Sequence, residues 1–339
     1  MAKKKKKIKI KKKPNIWNIL LLVVILAIAG LAAALVFAYS GKQNEIDIRN
    51  AYSPAGLENR EHAYADTFAG NLPVPSSSIV LDGVVMHSQS ERGLLINTDT
   101  NETIFAQSIY DRIYPASITK IMTAIIVCKY GNMSDVVVME ASDFYLDPDS
   151  QVSGMIEGDI VTMEQLFYTL VVYSANDAAN AIARHMYGSV PAFVDVMNAE
   201  ARMLGMTGTH FENPHGLHSN NHYTTAYDIY LMLREAVKYQ AFTDAMRLKF
   251  YDLELTRADG SYRYYELSST DKYMTGEAAL PEGVYILAGK TGTTEQAGNC
   301  LALAVQNKKG VLFISEVLNA ATKDELYADM SALLSHIND

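Results

Sequence analysis

Ser117 and Lys120, with Ile118 and Thr119 between them, open an apolar run of Ile121, Met122, Ala124, Ile125 and Val127 that stops at Gly131. The spacing of that run predicts a helix. Positions three apart share a helix face, so the Lys120 amine can reach the Ser117 hydroxyl. A serine hydroxyl is a poor nucleophile until a neighbouring base takes its proton, and a desolvated lysine can be that base. Two further clusters carry groups suited to the same chemistry. Ser174-Ala175-Asn176 breaks a second helical stretch with residues that favour caps and turns over helix interiors. Lys290-Thr291-Gly292-Thr293 ends an apolar run that begins at Val284. On a strand Lys290 and Gly292 point one way and Thr291 and Thr293 the other. A glycine there lets another backbone or a ligand come close. Taken alone, Ser174 and Asn176 read more readily as helix caps.

These residues must be held by elements that the sequence also outlines. Ile79 to Met86 is predicted as a strand. Gly93–Ile96 and Thr103–Ala106, flanking Asp99-Thr100-Asn101-Glu102, are predicted as a hairpin. From about 132 to 245 the pattern is mostly helical, with one helix over Val161–Tyr173 and another from Ser189 to Gly205. The loop Asn213-Pro214-His215-Gly216 follows, then a helix from Thr224 or Thr225. After 245 the period changes. Phe250–Leu255 and Tyr262–Leu267 bracket Ala258-Asp259-Gly260, a hairpin signal. Val284–Ala288, Cys300–Val305 and Val311–Val317 read as strands, and a helix closes the chain from about Thr322 to Ile337. The expected fold class is α+β: an antiparallel sheet made from N- and C-terminal segments, flanked by helices, with an inserted helical lobe.

The 339-residue chain carries a formal net charge of −9. Residues 1–40 hold nine lysines and no acid, so the rest stands at −18. A body that acidic repels phosphates and argues against a nucleic-acid partner. The lysines precede an almost unbroken apolar stretch, Ile16 to Tyr39, long enough for a helix to cross a hydrocarbon core of about 30 Å. Their position predicts a cytoplasmic N-terminus and an extracytoplasmic body. The competing reading is a cleaved signal peptide, with Ala38-Tyr39-Ser40 as the cleavage region. The expected domains are a basic cytoplasmic segment (1–15), a transmembrane signal anchor (16–39), an extracytoplasmic spacer (40–78) and a catalytic domain (79–339). Cys128 and Cys300 both lie in apolar surroundings and read as buried free thiols. His210, His215, His218 and His222 cluster, but without His-Glu-x-x-His or cysteine spacing, so a structural role is expected over a metal site.

Ser117-x-x-Lys120, Ser174-Ala175-Asn176 and Lys290-Thr291-Gly292 stand in the order found in penicillin-recognising serine acyltransferases. Flanking stretches extend the likeness: Pro115 to Thr123, Ser174 to Asn180, Asn213-Pro214-His215-Gly216-Leu217, His222 to Ala226, and Gly289 to Thr294 with Ala297-Gly298. From about Gly93 to the last helix the chain resembles the D-alanyl-D-alanine carboxypeptidases, the low-molecular-mass penicillin-binding proteins. The resemblance implies a β-lactamase/transpeptidase-like fold and a Ser117 acyl-enzyme formed on peptidoglycan stem peptides. It also implies covalent inhibition by β-lactams and no metal or cofactor.

By the same resemblance, Lys120 takes the serine proton, Ser174 relays a proton to the leaving amine, and Asn176 holds Lys120 and a substrate amide. The backbone N–H groups of Ser117 and Thr293 form the oxyanion hole, and Lys290, Thr291 and Thr293 bind the terminal carboxylate. Many relatives continue into a C-terminal β-rich domain and an amphipathic membrane helix. Neither is expected in the short stretch after Thr293, which leaves anchoring to the N-terminal helix. Ser268-Ser269-Thr270-Asp271 stands where an asparagine-rich sequence is expected in relatives, so that part of the cleft is expected to differ. A class A β-lactamase shares the three motifs, but no Glu-x-x-x-Asn signal lies between Asn176 and Lys290. A D,D-endopeptidase uses the same site. A non-catalytic penicillin sensor usually needs a cytoplasmic signalling domain, for which residues 1–15 are too few.

Overall fold

A computed structural model describes residues 72–257 and 259–338. The predicted basic segment, the transmembrane anchor and the spacer as far as residue 71 lie outside the described residues. Among the described residues no helix is long and apolar enough to cross a membrane. The first described residues, assigned by sequence to the spacer, are held to the body. Tyr227 Oη donates to the Pro73 carbonyl at 2.7 Å and Tyr110 Oη to the Pro75 carbonyl at 2.8 Å.

The N-terminal part gives β1 (Ser78–Ile79), β2 (Arg92–Asn97) and β3 (Glu102–Gln107). The strand predicted over 79–86 shrinks to β1, because Gly83 turns the chain at φ 82° and Val84 and Met86 drop into the core from a loop. A tight turn at Ala116–Thr119 leads into α1 (Lys120–Tyr130), whose residues 120–127 are all buried. A helix apolar all round must run through the interior.

Two three-residue strands, β4 (Val136–Val138) and β5 (Ile160–Thr162), follow. They correct the expectation of a mostly helical region, since three residues are too few to display a two-residue period. The predicted helix over 161–173 likewise begins late. Thr162 ends β5 and caps α2 (Met163–Tyr168) in a reciprocal capping box with Gln165. The turn Thr169–Tyr173 is π-helical and stops at Ser174.

The lobe continues with α3 (Asn176–Tyr187), α4 (Val190–Met203), α5 (Ala226–Ala236) and α6 (Gln240–Met246). The expected caps Ser189 and Thr225 each accept a backbone N–H three residues on. The hairpin β6 (Phe250–Thr256) and β7 (Tyr262–Ser268) joins β4 and β5 in a four-stranded sheet of order β4-β5-β6-β7. The chain ends with α7 (Lys272–Thr275), β8 (Tyr285–Thr294), β9 (Gly298–Gln306), β10 (Leu312–Ala320) and α8 (Lys323–Leu334).

The main sheet has six antiparallel strands in the order β1-β3-β2-β10-β9-β8. N- and C-terminal segments therefore meet at the β2–β10 pair, with the lobe between them in sequence. Both faces of the sheet are covered. Leu94, Ile96, Ala302, Ala304, Ile314 and Leu318 pack toward α1 and α5, and Leu95, Leu301, Leu303, Val305, Phe313 and Val317 pack toward α8. Burial on both faces explains why β9 reads as an uninterrupted apolar run. Fully burying each of the leucines, isoleucines, valines and phenylalanines among them favours folding by about 1.5–3 kcal/mol. β8 ends the order, so its outer edge is open to the lobe.

Candidate active site

Ser117 lies in the turn Ala116–Thr119, one turn ahead of the helix predicted to carry it. That turn is a 3-10 turn, in which residues three apart eclipse. Lys120 therefore sits over Ser117, and its Nζ lies 3.0 Å from Ser117 Oγ. Ala116 enters the turn at φ 47°, a left-handed conformation that a non-glycine residue takes at a cost of about 1–2 kcal/mol. The strain is held in place by the loop that the sequence singled out. Gly216 packs its Cα face on the Ala116 carbonyl, and a Cβ there would lie 1.8 Å from that oxygen. On β8, a Cβ added to Gly292 would lie 3.0 Å from the Ser117 nitrogen.

Lys120 is wholly buried, and its Nζ has two acceptors besides Ser117: Asn176 Oδ1 at 2.7 Å and the His215 carbonyl at 2.8 Å. Burial, then the charge of Lys290, hold the amine well below the ordinary lysine pKa, against an opposing pull from Asp177. A neutral amine has two N–H donors and one lone pair. Two donors for Asn176 and His215 leave the lone pair for the Ser117 proton. Three partners thus suit the base form of Lys120.

Neither the Ser174 nor the Asn176 side chain caps a helix. Ala175 occupies the N-cap position of α3, which has no side-chain cap bond. The π-helical turn ends with Ser174 at φ 69° and ψ 31°, and this left-handed kink aims its hydroxyl at β8. Lys290 Nζ donates to Ser174 Oγ and to the Thr291 carbonyl, each at 2.9 Å. Burial lowers the Lys290 pKa to about 7, with Asp271 opposing.

The alternation predicted along β8 holds. Lys290 and Gly292 are buried, Thr291 is half-buried and Thr293 is exposed. Lys290, 1% exposed, stands behind the cleft wall, while Thr291 and Thr293 line the cleft itself. Thr291 Oγ1 is 2.5 Å from Thr270 Oγ1, and Thr293 Oγ1 donates to Asn299 Oδ1 at 3.3 Å.

The cleft has a volume of about 430 Å³ and is lined by Ser117, Ser174, Asn176 and residues 291–294. That is room for the end of a peptide. Its far wall is the segment Asp149–Gln151, which no motif marked. Arg184 fixes the chain leading to that wall with a two-pronged pair to Asp143, both contacts 2.8 Å. Asp177 fixes the chain beyond it, accepting from the Ser153 N–H and hydroxyl. Lys272 and Lys323 are the lysines that line the cleft, and sequence reading missed them because their helices are distant from the motifs. Asp149 and Glu277 line it too, but neither bonds to Ser117 or Lys120.

The four clustered histidines are spent on structure. His222 Nε2 is 2.8 Å from Thr119 Oγ1, and His222 Nδ1 accepts the Glu212 N–H. Burial keeps His222 neutral, with a pKa near 4, and lowers that of His215. His210 Nδ1 lies 2.7 Å from the Asn221 carbonyl, and His218 packs edge-on against Tyr114. Among the described residues no group of three or more His, Cys, Asp or Glu is placed to hold a metal ion. Cys128 and Cys300 are free thiols, as read from the sequence, although Cys128 is half-buried and not fully so.

A family model described as D-alanyl-D-alanine carboxypeptidase matches residues 83–322. The D-alanyl-D-alanine carboxypeptidase DacF of Bacillus subtilis is 30% identical over 261 residues, 73% of this chain and 61% of that protein. The chain thus spans about three fifths of that relative's length. The D-alanyl-D-alanine carboxypeptidase of Streptomyces sp. strain K15 is 28% identical over 255 residues, covering 72% of this chain and 85% of that one. The crystal structure of the Streptomyces K15 DD-transpeptidase superposes with a TM-score of 0.67 at 26% identity, covering 75% of this chain and 97% of that chain. A match over residues 83–322, which contain all three motifs around one cleft, places the chain in the D-alanyl-D-alanine carboxypeptidase family.

Proposed function

We propose that the chain is a serine D-alanyl-D-alanine carboxypeptidase acting on peptidoglycan stem peptides. The observation that carries this reading is the buried Lys120 amine, 3.0 Å from Ser117 Oγ and held from two other sides. Ser117 Oγ attacks the carbonyl between the two terminal D-alanines while its proton passes to Lys120. The backbone N–H groups of Ser117 and Thr293 receive the developing oxyanion, a donor pair of which each member typically contributes about 10²–10³ in rate. Ser174, bonded to Lys290, hands a proton to the departing D-alanine amine, and Asn176 orients Lys120 and the substrate amide. Thr291 and Thr293 hydroxyls take the terminal carboxylate, with the Lys290 charge behind them. Water then hydrolyses the acyl-enzyme, and a β-lactam acylates the same serine.

The body works outside the cytoplasmic membrane, tethered through residues 16–39 with the lysines of residues 1–15 inside. The basic-then-apolar order of the N-terminus supports this placement. An Escherichia coli relative, 29% identical over 255 residues, is named D-alanyl-D-alanine endopeptidase. Hydrolysis of cross-links is therefore the second reading.

The test is incubation of the full-length chain with a pentapeptide ending in D-Ala-D-Ala and, in parallel, with a cross-linked dimer. Free D-alanine from the pentapeptide is expected. Cleavage of the dimer alone moves the reading to an endopeptidase, and rapid turnover of nitrocefin with no D-alanine release moves it to a β-lactamase. Ser117→Ala is expected to stay folded and to lose covalent labelling by penicillin. Undiminished labelling of that variant removes Ser117 as the nucleophile.

A further inference from the structure

A second cleft, about 420 Å³, is lined in part by residues next in the chain to those of the first. Arg92, Arg112, Tyr114, Asn221, Tyr223 and Gln296 form its walls. Two chain segments link the clefts. Tyr114 precedes Ser117 by three residues, and Gln296 lies in the β8–β9 turn just after Thr294, which lines the first cleft. That turn is pinned where the Ala297 N–H donates to Thr294 Oγ1 at 3.0 Å.

The second cleft holds more donor capacity than its own acceptors absorb. The Arg112 guanidinium lies 4.1 Å from the Tyr223 ring centroid, a stacking that leaves its N–H edge free to grip a planar anion. Among the described residues no carboxylate comes within ion-pair distance of Arg112. Arg92 donates to the Ser90 carbonyl and lies 3.4 Å from the exposed Asp111, while its Nε is buried with no partner. Asp111 thus offsets one of the two guanidinium charges and leaves the other.

The direction of β8 says what arrives there. An extended peptide laid antiparallel on the outer edge of β8 has its C-terminus beside Lys290 and Thr291 and runs backwards past Thr294. At about 3.4 Å per residue, the residues two and three positions upstream of the scissile bond reach the β8–β9 turn. We propose that the Arg92–Arg112 cleft is a subsite for a carboxylate carried by the acyl-donor peptide two to three residues upstream of the bond that is cut. This rests on the acyl-donor reading above and adds to it a selection for anionic stem peptides.

The test uses two peptides ending in D-Ala-D-Ala that differ in one group, a free carboxylate or a carboxamide two to three residues upstream. Their Kd values are measured on the full-length Ser117→Ala protein, which holds peptide without turnover. The carboxylate peptide is expected to bind about tenfold tighter, the range of one charge-assisted contact. Adding Arg112→Gln is expected to bring the two Kd values together, chiefly by weakening the carboxylate peptide. Arg263→Gln, an exposed site on β7, controls for net charge and should keep the tenfold ratio. Equal Kd values on Ser117→Ala, or an unchanged ratio with Arg112→Gln, overturn the subsite. Inorganic phosphate binding to the cleft without discrimination between the peptides also overturns it, since the site then takes a free anion. D-alanine release by the unsubstituted protein is scored separately. Its absence from both peptides refutes the carboxypeptidase reading, while the Kd ratio still reports the subsite.

Discussion

Replacing Gly216 by alanine should disable the nucleophile from the opposite side of the molecule's chain order. The new Cβ would lie 1.8 Å from the Ala116 carbonyl oxygen, 2.4 Å from its carbon and 2.9 Å from Thr119 Oγ1. An ordinary carbon–oxygen contact needs about 3.2 Å or more, so one backbone must retreat by more than 1 Å. Gly216 also sits at φ 93°, where an L side chain costs about 1–2 kcal/mol by itself. The retreating segment is the turn that carries Ser117, and a displacement near 1 Å at a reacting atom costs about 10² in rate. Stopped-flow acylation by a fluorescent penicillin should therefore slow by about 10²-fold or more. Melting should drop by about 4–20 °C, from about 1–2 kcal/mol for the backbone conformation plus about 1–3 kcal/mol for the overpacking, at the 2–4 °C per kcal/mol usual for this size. Gly188→Ala is the matched control, because Gly188 has φ 78° but open space where its Cβ would go. It should lose about 1–2 kcal/mol of stability with acylation intact. Acylation of Gly216→Ala within threefold of the unsubstituted protein would refute the packing of Gly216 as the support of Ser117.

Other outcomes follow from the same geometry. Lys120→Arg keeps the charge but cannot be deprotonated, so acylation should fall by about 10³-fold or more in the same assay. The Lys120 base works neutral, so its depressed pKa extends acylation below the range of an ordinary lysine, and the rate constant should decline above about pH 7 as Lys290 loses its charge. A rate that does not decline above about pH 7 would remove the Lys290 charge from the acylation step. Glu316, on β10, is fully buried with neither carboxylate oxygen bonded, and burial holds its pKa well above the usual carboxyl range. Its folded form binds a proton that the unfolded form has released, so stability falls as pH rises above about 4.5. Glu316→Leu should remove that slope and gain about 1–3 kcal/mol in urea unfolding at pH 8, with little change at pH 4. An equal gain at both pH values would mean that packing, not titration, governs the site.

The family of this protein was legible in residue types and their order, because three motifs, each common alone, stand in one sequence in the order of that family. Ser117 with Lys120, Ser174 with Asn176, and Lys290 with the threonines after it supply groups suited to the nucleophile, base, relay and anion binder proposed above. The long elements were legible as well, since a buried helix or a doubly covered strand writes its burial into a continuous apolar pattern. Short strands such as β4 and β5 write too little, and a π-helical turn has no period of its own, so that part of the lobe was misread as plain helix. What tertiary structure alone decided is how the motifs meet. A left-handed Ala116 braced by Gly216 and a left-handed Ser174 aimed at Lys290 depend on contacts between residues 100 and 116 positions apart, far beyond the local 3-10 turn that stacks Lys120 over Ser117. So do the Lys272 and Lys323 walls and the Arg92–Arg112 cleft, which carry no local signature. Ser117 and Lys120 could be named as a pair only with Ser174, Asn176 and Lys290 beside them in the sequence, and the neutral amine that joins them comes from burial, which belongs to the whole fold.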